Sequence, residues 1–378
     1  MSVSTAFNSK NTIGNYNNLR TQNKSNVNFN LEYSKKSLSS QLSLNFDDQD
    51  RLSFDNSYVN YEKGIAELSI GKVNRIWSFS KKSSLILSPN SRPLEAFSLK
   101  LENKFNTNWL PSTANWSFEL INGTTNNSLN GKNSMLSGAR FIINPSEKLN
   151  IEFLQTGQWG GQNDKLYSTN IDALLFGNTN DGINSNINKM AGIGLSYSVP
   201  LNKNTYRFYS QTIGEDEAGS LPSCLSWMAG LELIAPEMKF PTILTIEAVD
   251  TRVKKSTNGN CGANTMYNNS TYDYINNDTV LGVPIDTEST SLEVFGQSQV
   301  NKNLDFNYST KFFSINDKAW SRHRLSSTQS LGTITSLGVY WKKDGFVSSG
   351  NISYQNLTLD KANVSNNTIF SLFTSVKF

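Results

Sequence analysis

His323 is the only histidine of the chain, and it stands in Ser321-Arg322-His323-Arg324, between basic neighbours in a polar, loop-like stretch. Hydrolysis of the Ser–His–Asp kind needs a histidine beside a nucleophile and a carboxylate. A histidine-based metal site needs more than one such ring. The stretch therefore reads as a solvated loop, and neither catalysis nor a bound metal or other cofactor is expected. Glu215, Asp216 and Glu217 follow Gly214 and form a compact acidic cluster. Adjacent carboxylates bind cations or accept hydrogen bonds from sugar hydroxyls, although a charged loop at a strand end has the same composition. Trp159-Gly160-Gly161 sets an indole beside two glycines. Aromatic faces stack on sugar rings and glycine lets a chain approach closely, while a tryptophan at a membrane interface reads the same way. Arg92, in Ser91-Arg92-Pro93, offers a bidentate fork for an acidic group or for carbonyls at a turn. Cys224 and Cys261 match no zinc spacing. They either pair in an oxidising compartment or stay as two thiols, since spacing alone does not decide.

The elements that must position these residues are written in the composition. Hydrophobic residues make up 37% of the 378, below the ~45–50% usual for globular domains. The net charge is +3, from 34 basic and 31 acidic residues, too balanced for a nucleic-acid partner. No apolar run approaches the ~18–20 residues of a membrane helix. The opening stretch, MSVSTAFNSKNTIGNYNNLR, has neither the basic nor the apolar region of a signal peptide. An exported protein carries one, so a fragment, a misassigned start or another compartment stays open.

The main signal has a period of two. Val27, Phe29, Leu31 and Tyr33 alternate with Asn28, Asn30 and Glu32. Leu304, Phe306, Tyr308, Thr310 and Phe312 alternate with Asp305, Asn307, Ser309 and Lys311. Successive strand side chains point to opposite faces, so each segment has one apolar and one polar wall. Similar segments recur to the end of the chain and predict about eighteen strands. The best helical candidate, 221–233, reads equally well as strand. Long polar loops are expected at 121–134, 160–190, 253–280 and 314–330, and short turns such as Asn144-Pro145-Ser146-Glu147 between them. A soluble β-sandwich gives the same period, but that many strands would need several sandwiches, and no linker breaks the chain. The expected fold is an all-β, transmembrane antiparallel β-barrel, oily outside and polar within. Residues 25–378 form its wall, and 1–24 are an N-terminal segment outside it. The last strand ends on Phe378, with Val376, Thr374, Leu372 and Phe370 on one face, similar to the sorting signal of outer-membrane barrels.

These segments together resemble the capsule assembly protein Wzi family. The resemblance runs through Asp55-Asn56-Ser57-Tyr58, Ser84-Leu85-Ile86-Leu87-Ser88, Ser91-Arg92-Pro93, Trp109-Leu110 and Trp116-Ser117-Phe118-Glu119. It continues with Gly138-Ala139-Arg140, Gln158-Trp159-Gly160-Gly161, Gly177-Asn178, Tyr209-Ser210-Gln211, Glu247 and Asp250-Thr251, over residues 55–251. It implies an outer-membrane barrel in the lipid bilayer that binds and organises capsular or other surface polysaccharide, lectin-like and without catalysis. On that reading loops 160–190 and 253–280 meet the polymer, and Arg92, Trp159, Glu215, Asp216 and Glu217 are candidate contacts. A monomer is expected. Two features depart from the family. Its Trp-Trp-Gly-Pro stretch is Ile76-Trp77-Ser78-Phe79 here, and its helical plug has no counterpart, which leaves a more open lumen in view. A porin-like diffusion channel is the alternative function, and an outer-membrane lipid hydrolase ranks last.

Overall fold

The computed structural model describes residues 1–13, 25–48, 51–107, 110–126, 133–160, 187–218, 221–255, 261–269 and 271–378, without the side chains of 216–218 and 221. The strands are β1 (Ser2–Asn8), β2 (Ser25–Lys35), β3 (Leu38–Asp47), β4 (Leu52–Ser53), β5 (Tyr58–Lys63), β6 (Ala66–Lys72) and β7 (Glu95–Lys104). There follow β8 (Asn115–Thr125), β9 (Ser134–Asn144), β10 (Leu149–Trp159), β11 (Asn188–Leu201), β12 (Asn204–Ala218), β13 (Leu221–Ala235) and β14 (Thr242–Asp250). The last are β15 (Ile275–Asn276), β16 (Thr279–Val280), β17 (Thr290–Asn301), β18 (Leu304–Ile315), β19 (Ser330–Lys343), β20 (Phe346–Asn356) and β21 (Asn367–Lys377). Strands β4 and β5 both pair with β3 and act as one interrupted strand, β15 and β16 form a separate hairpin, and the rest close an antiparallel barrel of 18 strands.

Period two becomes two surfaces. Phe29, Leu31 and Tyr33 of β2 and Phe306 and Phe312 of β18 are exposed on the outside. Inside, Ser43 donates to Asn30 Oδ1 at 2.7 Å, and Gln297 to Asp305 Oδ2 at 3.0 Å. Short turns, such as 36–37, 64–65, 202–203 and 344–345, gather at one rim, the periplasmic rim of such barrels. Tyr33, Tyr61, Tyr197 and Trp341 stand exposed near it as an aromatic girdle. Strand β13 settles the helix-or-strand ambiguity of 221–233, and β8 continues through 121–125, where a loop was expected.

The barrel closes where the sequence reading placed a separate segment. Residues 2–8, inside the expected 1–24 extension, are strand β1, paired with β2 on one side and β21 on the other. Without β1 the edges of those neighbours would expose N–H and C=O groups to hydrocarbon, where no water satisfies them. Residues 14–24 lie outside the described residues.

The interior differs from the expected polar tube. Residues 73–94, between β6 and β7, fold into the lumen. Trp77, Leu85, Ile86 and Leu87 from this strap meet Leu136, Leu154, Met190, Ile213 and Met228 of the wall. Tyr267, Tyr274, Ile275 and Leu281, from the long connection between β14 and β17, complete the same buried cluster. The outer half of the lumen is therefore a packed apolar core. Loop 253–280, expected outside, supplies much of it. Its described residues turn inward because they carry too much apolar surface to stand in water. The two cysteines are joined: Cys224 of β13 bonds Cys261, Cα to Cα 5.0 Å, and pins this connection to the wall.

The disulfide spans a sequence separation of 37. Closing such a loop is worth about 3–4 kcal/mol on chain-entropy grounds. Reduction should therefore speed amide exchange across 261–289 by about a hundredfold or more, while the strand amides stay protected. Unchanged exchange in 261–289 would mean that packing alone holds the connection.

Candidate functional site

The strap is held by ion pairs along its length. Arg75 Nε lies 3.2 Å from Glu119 Oε1 of β8, and Trp77 Nε1 donates to Glu119 Oε2 at 3.0 Å. Lys81 Nζ is 2.8 Å from Glu232 Oε2 of β13, and Lys82 Nζ is 2.9 Å from Glu293 Oε1 of β17. Ser80 Oγ donates to Glu247 Oε2 at 2.5 Å, which also accepts from Tyr209 OH at 2.8 Å. The wall's own cations cap the strap's carbonyls: Arg140 reaches Ser78 O at 3.2 Å and Arg207 reaches Phe79 O at 2.8 Å. Each also pairs with a wall carboxylate, Arg140 with Glu152 at 2.5 Å and Arg207 with Glu232 at 3.0 Å. Gln211 is bonded at both ends of its amide, accepting from Leu85 N at 2.8 Å and donating to Trp77 O at 2.5 Å. Charges at this depth persist only when paired and hydrogen-bonded. The strap and the barrel wall satisfy each other.

Above the strap, at the outer mouth, lies a cleft of about 510 Å³. Most of its lining residues are polar: Asn26, Asn45, Asp47, Arg51, Asp55, Asn90, Arg92, Asn277, Asp278, Arg324 and Lys361 among others. Arg92 holds Asp55 with both arms of its guanidinium, Nε to Oδ2 and Nη2 to Oδ1, each at 2.9 Å. Asn45 Nδ2 donates to Asp55 O at 3.0 Å, which fixes the loop that carries the acid. Arg51 and Asp47 form a second pair at 2.9 Å. The tip of the β15–β16 hairpin enters the cleft with Asn277 (φ 48°) and Asp278 (φ 60°) both left-handed, the type I′ geometry that short-chain polar residues tolerate. Asn276 anchors that hairpin by donating to Arg92 O at 2.9 Å. Amides, carboxylates and guanidinium groups on one concave surface supply the donors and acceptors that vicinal hydroxyls require.

The sequence-predicted residues do not converge. Arg92 lines the cleft. Glu215 is buried inside the wall and accepts a hydrogen bond from Tyr267 N at 2.5 Å, so it anchors the inward connection from within a strand, not a loop. Trp159 lies on the outward-facing register of β10 and donates to Ser137 Oγ at 2.8 Å, the girdle position. Asp216 and Glu217 extend β12 opposite Ser223 and Pro222, and their side chains lie outside the described residues. Residues 161–186 of the expected 160–190 loop, with Gly161, Gly177 and Asn178, also lie outside them, as does Trp109. Asp55, Asn277 and Asp278 were missed as site residues. The Asn-Asp pair between Ile275-Asn276 and Thr279-Val280 is the hairpin-turn signal that would have found the tip.

His323 is fully buried, against the solvated loop expected. Its Nε2 donates to Thr287 O at 3.0 Å and its Nδ1 accepts from Leu325 N at 3.1 Å, which is the neutral ring. Burial holds the imidazole below its ordinary value of 6.5, although Asp286 opposes the shift. Among the described residues no group of three His, Cys, Asp or Glu side chains is placed to hold a metal ion.

Fold and mouth define an outer-membrane β-barrel whose lumen is crossed by its own chain and whose polar cleft faces outward. The family of capsule assembly protein Wzi matches residues 2–367, and the chain belongs to it. The whole chain superposes on a solved Escherichia coli structure at a TM-score of 0.85 with 19% identity, covering 84% of that chain. That protein is described as Wzi, an outer membrane protein involved in group 1 capsule assembly and a carbohydrate-binding β-barrel. The Pseudomonas aeruginosa barrel OccK2 (OpdF) shares the fold at a TM-score of 0.55 and 10% identity, with 99% of this chain and 96% of that one covered. An uncharacterised 55.8 kDa protein of a Klebsiella pneumoniae cps region is 28% identical over 194 residues. The match takes in 50% of this chain and 38% of that relative's length.

Two outcomes follow from these contacts. Arg140→Ala strands the buried Glu152 without its cation and should weaken strap docking by about 3–5 kcal/mol. Proteolysis within 73–94 and single-channel conductance should both rise, and a variant with neither change would contradict the role assigned to the pair. For His323, the depressed value means that stability is complete above pH 6.5 and falls as pH drops below it toward the folded value. Amide protection factors in 316–329 should fall as pH drops below about 6.5. The lone imidazole's NMR titration reports directly, and a midpoint at or above 6.5 would refute the mechanism.

Proposed function

We propose that this outer-membrane protein binds capsular or related surface polysaccharide at its outer cleft and does not transform it chemically. The observation that carries the reading is the cleft itself, where Arg92–Asp55, Arg51–Asp47 and the Asn277-Asp278 tip present fixed donors and acceptors outward. The described relative from Escherichia coli binds carbohydrate, which supports the same use here. A hydrolase would need its base at the surface, and His323 is buried with both ring nitrogens engaged. A diffusion channel would need a lumen open from end to end, and the strap and the Cys261-pinned connection cross it. The wall closes within a single chain, which supports a monomer.

Each hydroxyl contact is weak, so affinity should accumulate with polymer length. Titrating the purified barrel with size-fractionated capsular polysaccharide should give tighter binding per chain as length grows. Arg92→Ala releases Asp55 and should weaken binding by about tenfold. Equal affinity for monosaccharide and long polymer, or an unaltered Arg92 variant, would overturn the proposal.

A further inference from the structure

Below the cleft, on the β17–β21 side of the strap, lies a larger chamber of about 850 Å³. Part of the wall there is a ladder of small polar groups, set among Ile243, Phe295, Tyr308 and Ile334. Ser336 and Ser353 hydroxyls bond each other at 2.8 Å, and Asn351 Nδ2 donates to Ser353 Oγ at 2.8 Å, with Asn307 and Ser309 alongside. Three lysines, Lys81, Lys82 and Lys311, face the chamber with two glutamates, Glu232 and Glu293. Lys82 and Lys311 share one carboxylate, at 2.9 and 3.4 Å from Glu293. Lys81 shares Glu232 with Arg207. Among the residues that line the chamber, three lysines meet two glutamates, an excess of one positive charge toward an anion. The chamber adjoins the cleft: Asn74, Asn90 and Pro284 line both spaces.

We infer that the chamber is a second saccharide subsite, selective for an acidic sugar, into which an oligosaccharide or a polymer end passes from the cleft. The ligand's carboxylate approaches Lys82 and Lys311 from the side away from Glu293, which already bridges them, and its hydroxyls meet the serine and asparagine ladder. The volume lies within the roughly 300–1,000 Å³ of small-ligand pockets, room for a few sugar residues. The inference rests on the polysaccharide reading for its ligand class but names different residues. The two therefore fail separately.

The test uses the full chain in detergent micelles, titrated with trigalacturonate and with maltotriose as the neutral counterpart. Trigalacturonate should bind at least about tenfold more tightly. Lys311→Gln should remove that preference. Asn351→Trp, which fills the chamber without touching the strap's ion pairs, should abolish trigalacturonate binding. Arg92→Ala should leave it intact. Heat-modifiable gel mobility verifies that each variant is folded. Equal binding of the two trisaccharides, no binding of either, or full binding by a folded Asn351→Trp variant would each overturn the inference. Loss of long-polymer binding in Arg92→Ala with trigalacturonate binding retained would uphold the chamber and the cleft as distinct sites.

Discussion

Everything inside this barrel depends on the exchange of charge between the strap and the wall. A closed sheet of this width leaves a lumen that side chains alone do not fill. Here the chain fills it by sending one connection back through the middle. That move buries backbone amides and carbonyls away from the sheet ladder, and each needs a partner. Arg140, Arg207 and Gln211 supply them at Ser78, Phe79, Trp77 and Leu85. Glu119, Glu232, Glu247 and Glu293 take the strap's own donors in return. Unmatched, any one of these buried charges would be strongly destabilising. Matched, they fix the strap in a single register.

The strap in turn sets the positions of the cleft and the chamber. Its apolar stretch, Leu85 to Leu87, gives the inward connection between β14 and β17 something to pack on. Tyr267 donates to Leu85 O at 2.8 Å, and Asn90 donates to Val280 O at 2.9 Å, so strap and connection are also laced by hydrogen bonds. The connection then lifts the β15–β16 hairpin to the mouth, where Asn277 and Asp278 join Arg92. The outer cleft is thus a surface built from loops on a rigid base, the arrangement in which loop residues carry specificity and the scaffold carries stability.

The wall was legible because a half-buried strand has to alternate. Phe29 and Leu31 face out and Asn28 and Asn30 face in for no reason beyond the pleat. Resemblance added the family. The strap was not legible from the period, since it has none. Its signal was the opposite one: Leu85-Ile86-Leu87 is apolar without alternation and flanked by serines, a segment that needs cover on every side. Glu215 and His323 were misread for a related reason. Polarity in a sequence suggests water, yet a residue with a buried backbone amide to accept from, or a carbonyl to donate to, is at home inside. Trp159 left two readings open, and the register of β10 separates them, which no local pattern could.

The seam between β1 and β21 has its own consequence. Seven residues of the first strand pair with seven of the last, and Thr5 and Thr374 share a hydrogen bond at 2.9 Å across a separation of 369. No other ladder among the described residues joins positions so far apart in the chain, and bringing such distant segments together carries a slow, entropy-laden search. The cylinder therefore becomes watertight to lipid only after the final segment has been synthesised. Until then every intermediate is an open ribbon with two raw edges, vulnerable to pairing with a neighbour's edge. Assembly in the cell must shelter that ribbon until its two ends meet.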